Sequence, residues 1–313
     1  MAASQLIAGG KFVDPDVTAD GKARAKVRLE RLETLWFNTG TLCNIACENC
    51  YIESTPRNDR LEYLTRSEAQ AYLDEIEALG CGTHTIGLTG GEPFMNPDVL
   101  DIMEDCLAAG HQLLVLTNAM RPMMHHQVRL LDIRARFGNQ LTLRVSVDHY
   151  TRKFHEQERG RRSWKPMFEG LGWLSAQGFN LHVAGRTRWG DSETDLRRGF
   201  ATLFTEHGIN VDAQDPVALV LFPEMDTNAS VPEITRDCWA ILGVDPRALM
   251  CASSRMVIKR KGAATPTVVT GTLRPYDERF EMGTSLAESF VEVALNHPHC
   301  AKFCVLGGGS CTA

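Results

Sequence analysis

Six apolar, strand-like runs, each separated from the next by a helix-like stretch, limit what this chain can fold into more than any other feature. The runs are 33–40 (ETLWFNTG), 84–91, 111–118, 141–149, 179–187 and 217–224; between them lie amphipathic stretches at 67–80, 96–110, 124–138, 164–178 and 193–208. A helix between strands lets neighbours run parallel, because a parallel pair needs a crossover of about a dozen residues or more. Six such units stop short of a full (β/α)8 barrel. The pattern predicts an α/β fold built as a partial (β/α)6 barrel over 34–225, preceded by an N-terminal extension, 1–33. After Pro223 the rhythm changes, and 226–313 reads as a small appended C-terminal α+β domain.

With 313 residues and 43% hydrophobic content the chain can bury a large core. A net charge of −6 argues against a nucleic-acid partner and favours a small or cationic substrate. No apolar run has the length of a signal peptide's core or of a membrane span, which predicts a cytoplasmic protein with no membrane partner. In a reducing compartment ten cysteines are not a disulfide framework, so clustered ones read as metal ligands or catalytic thiols. Cys81 and Cys106 stand apart and read as small buried hydrophobes.

Chemistry in parallel sheets sits beyond the carboxyl ends of the strands, and the unusual residues fall there. The first strand is followed by Cys43, Cys47 and Cys50, the second by Gly90, Gly91, Glu92 and Pro93, and the third by Thr117 and Asn118. The fourth carries Ser146, Asp148 and His149, and the fifth is followed by Arg186 and Thr187. Three thiolates on one loop are what a [4Fe–4S] cluster needs if one iron is to stay open, whereas structural zinc normally closes with a fourth Cys or His. Neither His84 nor His111 has zinc-finger spacing.

The stretch CNIACENC has the C-x3-C-x2-C spacing of the radical S-adenosylmethionine (radical SAM) superfamily, and LTGGEPFMNPD resembles that family's GGE motif. The resemblance covers about 34–225; Asn49 stands where the family often has an aromatic, with Tyr51 following the third cysteine. It implies that Cys43, Cys47 and Cys50 hold three irons while S-adenosylmethionine chelates the fourth through its amino and carboxylate groups. Reduced by a partner such as flavodoxin or ferredoxin, the cluster would split the sulfonium into methionine and a 5′-deoxyadenosyl radical that takes a hydrogen atom from substrate. The turn Gly90, Gly91, Glu92, Pro93 would then lie against the methionyl group, with Glu92 accepting from its amino group. Asn118, Ser146 and Asp148 would be cofactor-side residues, and Arg159 would steady the cofactor's carboxylate.

A second group of thiols, Cys300, Cys304 and Cys311 in CAKFCVLGGGSC with Cys251 upstream, resembles the Twitch domain, the smaller relative of SPASM, which binds one auxiliary [4Fe–4S] cluster. The segment 275–289 resembles the linker found there, a glycine followed by an acidic helix. Thr267 stands where that pattern has a second cysteine. The four thiols could saturate one cluster, or three could bind it and leave an open iron or a free Cys251, a candidate catalytic hydrogen-atom donor for an epimerisation. A structural zinc site is the alternative. Cys238 reads as a half-buried helix cysteine with the same donor option.

Other features have plainer readings. The run RKFHEQERGRR reads as a solvated helix face, and His125 and His126 lack partner ligands. His297 and His299 adjoin the second thiol group, and Glu224 or Asp226 would face the barrel mouth. Taken together, these features predict a radical SAM enzyme with two [4Fe–4S] clusters. Because only about 33 residues precede the first strand, with no room for a leader-peptide recognition domain, the expected substrate is a small metabolite, a polyol or amino sugar undergoing epimerisation or dehydrogenation. A peptide-modifying maturase served by a separate recognition protein is the alternative, and a non-catalytic iron–sulfur or zinc protein is the rival of another class.

Overall fold

The computed structural model describes residues 10–224 and 230–310. In chain order the elements are β1 (Lys26–Val27), β2 (Thr34–Asn38), α1 (Arg66–Leu79), β3 (Thr85–Thr89), α2 (Val99–Ala108), β4 (Gln112–Thr117), α3 (Arg121–Met124) and α4 (Gln127–Phe137). They continue with β5 (Leu141–Asp148), α5 (Arg152–Arg159), α6 (Trp164–Ala176), β6 (Asn180–Arg186), α7 (Glu193–His207), β7 (Leu219–Phe222), α8 (Cys238–Leu242), α9 (Met250–Ser253), β8 (Ser254–Ile258), β9 (Thr267–Val269) and β10 (Val293–Ala294).

The six expected strands pair in sequence and in parallel, β2 to β7, so all their carboxyl ends share one edge. All five residues of β2 are buried, as a strand covered on both faces requires. Local signals set the helices. Thr65 and Glu68 form a capping box at the start of α1, and Gly80 closes it in the left-handed conformation. The core lies between the sheet and the helices, from Leu35 and Phe37 through Ile102, Met103, Leu130 and Leu171 to Phe200.

Several details depart from the sequence expectation. Pro97 lies before the cap residue Asp98 rather than in the first turn of α2. The charged run at 152–162 forms α5 as far as Arg159 and then a turn, and α5 is solvated on one side only: His155 and Glu158 have no exposed surface. The acidic helix expected within 275–289 is two single 3-10 turns, Glu278–Phe280 and Ala287–Ser289. Beyond Pro223, β8 joins the main sheet parallel to β2 and carries β9 antiparallel on its outer edge. Near the N-terminus, β1 pairs with β10, and buried Arg24 pairs with Glu233 at 2.6 Å. Among the described residues no helix is long and apolar enough to cross a membrane.

Candidate active site

The loop after β2 is held open by the turn after β3. Thr39 N donates to Thr89 O at 2.8 Å, Gly91 N to Gly40 O at 2.8 Å and Glu92 N to Leu42 O at 3.1 Å, which joins the GGE turn to the start of the cysteine loop. Glycine is required at both positions. A Cβ at Gly91 would lie 2.1 Å from Leu42 O, and one at Gly90, where φ is +139°, 2.5 Å from Gly40 O.

Glu92 faces inward. Its carboxylate accepts from Thr117 Oγ1 at 2.9 Å, Asn118 N at 2.8 Å and Phe94 N at 3.3 Å, fixing the end of β4, and burial pushes its pKa up to about 7 against those bonds. Asn118 in turn donates to Asn44 Oδ1 at 2.9 Å, tying β4 to the cysteine loop.

Cys43, Cys47 and Cys50 line a single cleft of about 620 Å3 together with Gly90, Gly91, Asn118, Ser146, Arg159 and Arg186. Glu92 and Pro93 lie outside that lining, and Asp148 lines an adjoining chamber of about 550 Å3. Tyr51, Leu116, Ser146, Arg159 and Arg186 border both spaces, so cleft and chamber adjoin. Phe222, Leu273 and Phe303 form the chamber's apolar wall.

The fit to an iron–sulfur cluster rests on these thiols. Among the described residues no three or more His, Cys, Asp and Glu side chains close around a metal point; the three thiols instead share the cleft. Burial pushes Cys43 up to about 12 and Cys47 to about 11, so both are protonated thiols and a bound iron would have to displace their protons. Cys50 Sγ already accepts from Ser54 N at 3.3 Å, a bond suited to a sulfur bearing negative charge. Three thiols on one loop, polar strand ends beside them and a cleft with room for a cofactor fit a [4Fe–4S] cluster with one open iron.

A buried ion network fixes the far side of the loop. Strand β5 shifts register between Ser146 and Asp148, and Asp148 takes φ +60°. Its carboxylate thereby meets Arg159 Nε at 2.5 Å and Arg186 Nε at 3.2 Å. Burial alone would raise the Asp148 pKa, but the two guanidiniums hold it below its ordinary value. Sequence reasoning missed Glu158. Its carboxylate accepts from Asn49 N at 3.0 Å, Asn49 Nδ2 at 2.9 Å and Arg188 Nη1 at 2.6 Å, and its carbonyl accepts from Glu48 N at 2.8 Å. This clips the loop between its second and third cysteines. Only the 3.6-residue period of α5, which carries Glu158 inward with His155, could have hinted at it.

The second thiol group is also gathered in space. Cys251 lies on α9, and Cys300 and Cys304 lie on one π-helical turn, Cys300–Val305, a rare element often found at functional sites. Cys311 and Asp226 lie outside the described residues. Cys238 starts α8 half-buried, with its sulfur accepting from Thr235 N at 3.3 Å; Cys106 is buried and Cys81 half-exposed. His297 packs against Phe280 and His299, and burial together with Arg274 lowers its pKa to about 3. Glu224 pairs with Arg188 at 3.7 Å.

Comparison with known proteins agrees with this geometry. The family model described as the Radical SAM superfamily matches residues 37–187. The antilisterial bacteriocin subtilosin biosynthesis protein AlbA of Bacillus subtilis (strain 168) is 26% identical over 144 residues, 45% of this chain and 30% of that protein. The AdoMet-dependent heme synthase of Methanosarcina barkeri (strain Fusaro / DSM 804) is 30% identical over 120 residues, 38% of this chain and 32% of that protein. The chain thus spans about a third of the length of these two relatives. Among solved structures, SuiB of Streptococcus suis bound to S-adenosylmethionine superposes with a TM-score of 0.59 at 11% identity, covering 81% of this chain and 63% of that one. The same protein bound to the precursor peptide SuiA gives 0.51 at 15% identity, covering 64% of this chain and 41% of that one. Family match and fold agree: residues 37–187 of this chain match the Radical SAM superfamily model, and the chain takes the fold of the SuiB structures.

Proposed function

We propose that this chain cleaves S-adenosylmethionine at a [4Fe–4S] cluster on Cys43, Cys47 and Cys50 and oxidises or epimerises a C–H centre of a substrate in the adjoining chamber. The observation that carries this reading is the border that the three-thiol cleft and the chamber share along Tyr51, Leu116, Ser146, Arg159 and Arg186. The cluster, when bound and reduced by a flavodoxin or ferredoxin, supplies the electron that splits the sulfonium into methionine and a hydrogen-abstracting 5′-deoxyadenosyl radical.

The chain's own residues bind and orient. Gly90 and Gly91 leave the cleft floor free of side chains, and Asn118 and Ser146 offer polar groups at the strand ends. Arg159, held by Asp148, presents charge-assisted donors to the cofactor's carboxylate. Phe222, Leu273 and Phe303 keep water from the radical.

The favoured substrate is a small biosynthetic metabolite. The chamber lining mixes Arg144, Ser146, Asp148, Arg159 and Arg186 with apolar side chains, polar groups that suit a hydroxyl-rich metabolite such as a polyol or amino sugar. A peptide substrate is the second reading, supported by the likeness to AlbA, a bacteriocin biosynthesis protein, and to SuiB, solved with a precursor peptide. We further propose a second [4Fe–4S] cluster on Cys251, Cys300 and Cys304, with Cys311 a fourth candidate and Cys251 alternatively a free hydrogen-atom donor. It would sit directly behind the chamber wall, because Cys304 follows Phe303 and Arg274 follows Leu273.

The test is anaerobic reconstitution with iron and sulfide counting, then a 5′-deoxyadenosine assay with dithionite and S-adenosylmethionine. Two clusters give about eight irons per chain, and 5′-deoxyadenosine should disappear in the Cys43→Ala, Cys47→Ala, Cys50→Ala triple variant. Zinc in place of iron, or a loaded protein that leaves the cofactor intact, would support the non-catalytic rival instead.

A further inference from the structure

Arg274 is buried at 8% exposure in the middle of the second thiol group. Its Nη1 touches Cys300 Sγ, its Nη2 lies 3.9 Å from Cys251 Sγ and donates to Thr270 Oγ1 at 3.0 Å, and its guanidinium stacks 3.9 Å from the Phe280 ring centroid. Among the described residues no carboxylate pairs with it: nearby Asp277 and Glu281 are taken by Arg279 and Arg260.

Three other arginines with little exposed side chain are matched to acids. Arg24 has Glu233, Arg159 has Asp148, and Arg186 has Asp148 and Glu158. Arg255, also beside Cys251, has no acid, but it is satisfied by the backbone carbonyls of Cys251, Ser254, Ser289 and Val291. Arg274 has no such carbonyls; apart from one hydroxyl, its partners are sulfurs. A buried cation without a counter-charge is costly, and the groups placed to supply the negative charge are the thiols themselves.

We propose that Arg274 is the fixed counter-cation of an anionic iron–thiolate centre held by Cys251, Cys300 and Cys304, and that it sets the centre's reduction potential. The inference rests on the auxiliary-cluster reading above. Guanidinium N–H groups donate to ligating sulfurs and favour the form that has gained an electron, so the arginine raises the potential. It is a positioning and tuning residue.

The experiment uses the full chain in the Cys43→Ala, Cys47→Ala, Cys50→Ala background, so that only the second centre loads. Arg274→Gln and Arg274→Lys are reconstituted beside it, iron is counted, and the midpoint potential is read by EPR-monitored titration. The background should hold about four irons. Arg274→Gln should lose that iron, or lower the ratio of reduced to oxidised centre at fixed poise by about tenfold, close to 59 mV for one electron. Arg274→Lys, which keeps the charge, should stay near the background on both readouts. An iron-free background overturns the auxiliary-cluster reading and this inference with it. A background that loads normally, with Arg274→Gln unchanged or Arg274→Lys falling as far as Arg274→Gln, overturns the role of Arg274 alone.

Discussion

The molecule holds two groups of thiols, and they are built in opposite ways. Cys43, Cys47 and Cys50 sit on one loop, joined by backbone bonds to the GGE turn and clipped by Glu158; the arginines around them are already matched to Asp148 and Glu158. Cys251, Cys300 and Cys304 come from segments some fifty residues apart, and among the described residues no acid pairs with the arginine they surround. The first site is thus neutralised by protein and leaves its cleft open for a charged cofactor. The second leaves its neutralisation to whatever the sulfurs hold. An open reaction site and a closed electron site would differ in this way.

The comparison can be broken most severely at Gly91. Gly91→Ala drives a methyl group against the Leu42 carbonyl, a backbone atom that cannot yield without moving the cysteine loop. Iron counting should show loss of about half the metal, about four of eight irons, with the second centre intact; full loading would mean that the turn does not hold the loop. Glu158→Ala is the next largest. It leaves two donors of Asn49 without their acceptor and removes an acid partner of both Arg186 and Arg188, and breaking a buried charge pair costs about 3–5 kcal/mol. 5′-Deoxyadenosine formation should fall about tenfold or more, while Glu158→Gln, which keeps one acceptor, should fall less; each factor of ten corresponds to about 1.4 kcal/mol. Equal activity in the two variants would reduce Glu158 to a space-filling role.

A pH series sharpens the comparison at Asp148. Its folded pKa is lowered by Arg159 and Arg186, so the stability it contributes is present above the ordinary carboxylate value of 3.8 and is lost as pH falls below it. In melting curves Asp148→Asn should flatten the acid limb below about pH 4, beyond a drop at neutral pH from the unpaired arginines. An unchanged acid limb would mean that the pair is not coupled to folding. The smallest effect concerns iron uptake at the first site. Protons on Cys43 and Cys47, whose pKa values burial raises to about 12 and 11, compete with iron, so loading should weaken as pH falls and strengthen as it rises. Pull-down of free iron across pH would show the trend, and a flat profile would contradict it.

Much of this architecture was legible in the chain. Continuous apolar runs and period-3.6 patterns placed β2 to β7 and their helices, because most of these strands are largely buried on both faces and the long helices pack on one. The cysteine loop and the GGE turn were legible because local spacing creates them. What escaped depends on long-range packing. Strand β8, SRMVI, carries no sign in its sequence that it will add to β2 rather than to a separate sheet. Glu158 sits in a charged run that reads as solvated surface and Arg274 just ahead of the linker-like segment, and only the fold turns them inward. Glu92 was found by motif, yet its carboxylate is held by Thr117 and Asn118, a contact between two strand ends that no spacing reveals.

The two thiol groups should differ in kind, with only the first meeting the cofactor. EPR of the dithionite-reduced protein with and without S-adenosylmethionine separates them in two backgrounds: Cys251→Ala, Cys300→Ala, Cys304→Ala, and Cys43→Ala, Cys47→Ala, Cys50→Ala. The cofactor should change the cluster signal when only the first site is loaded and leave it unchanged when only the second is. A signal from the second centre that shifts with S-adenosylmethionine, or a first-site signal indifferent to it, would overturn this division between the two groups.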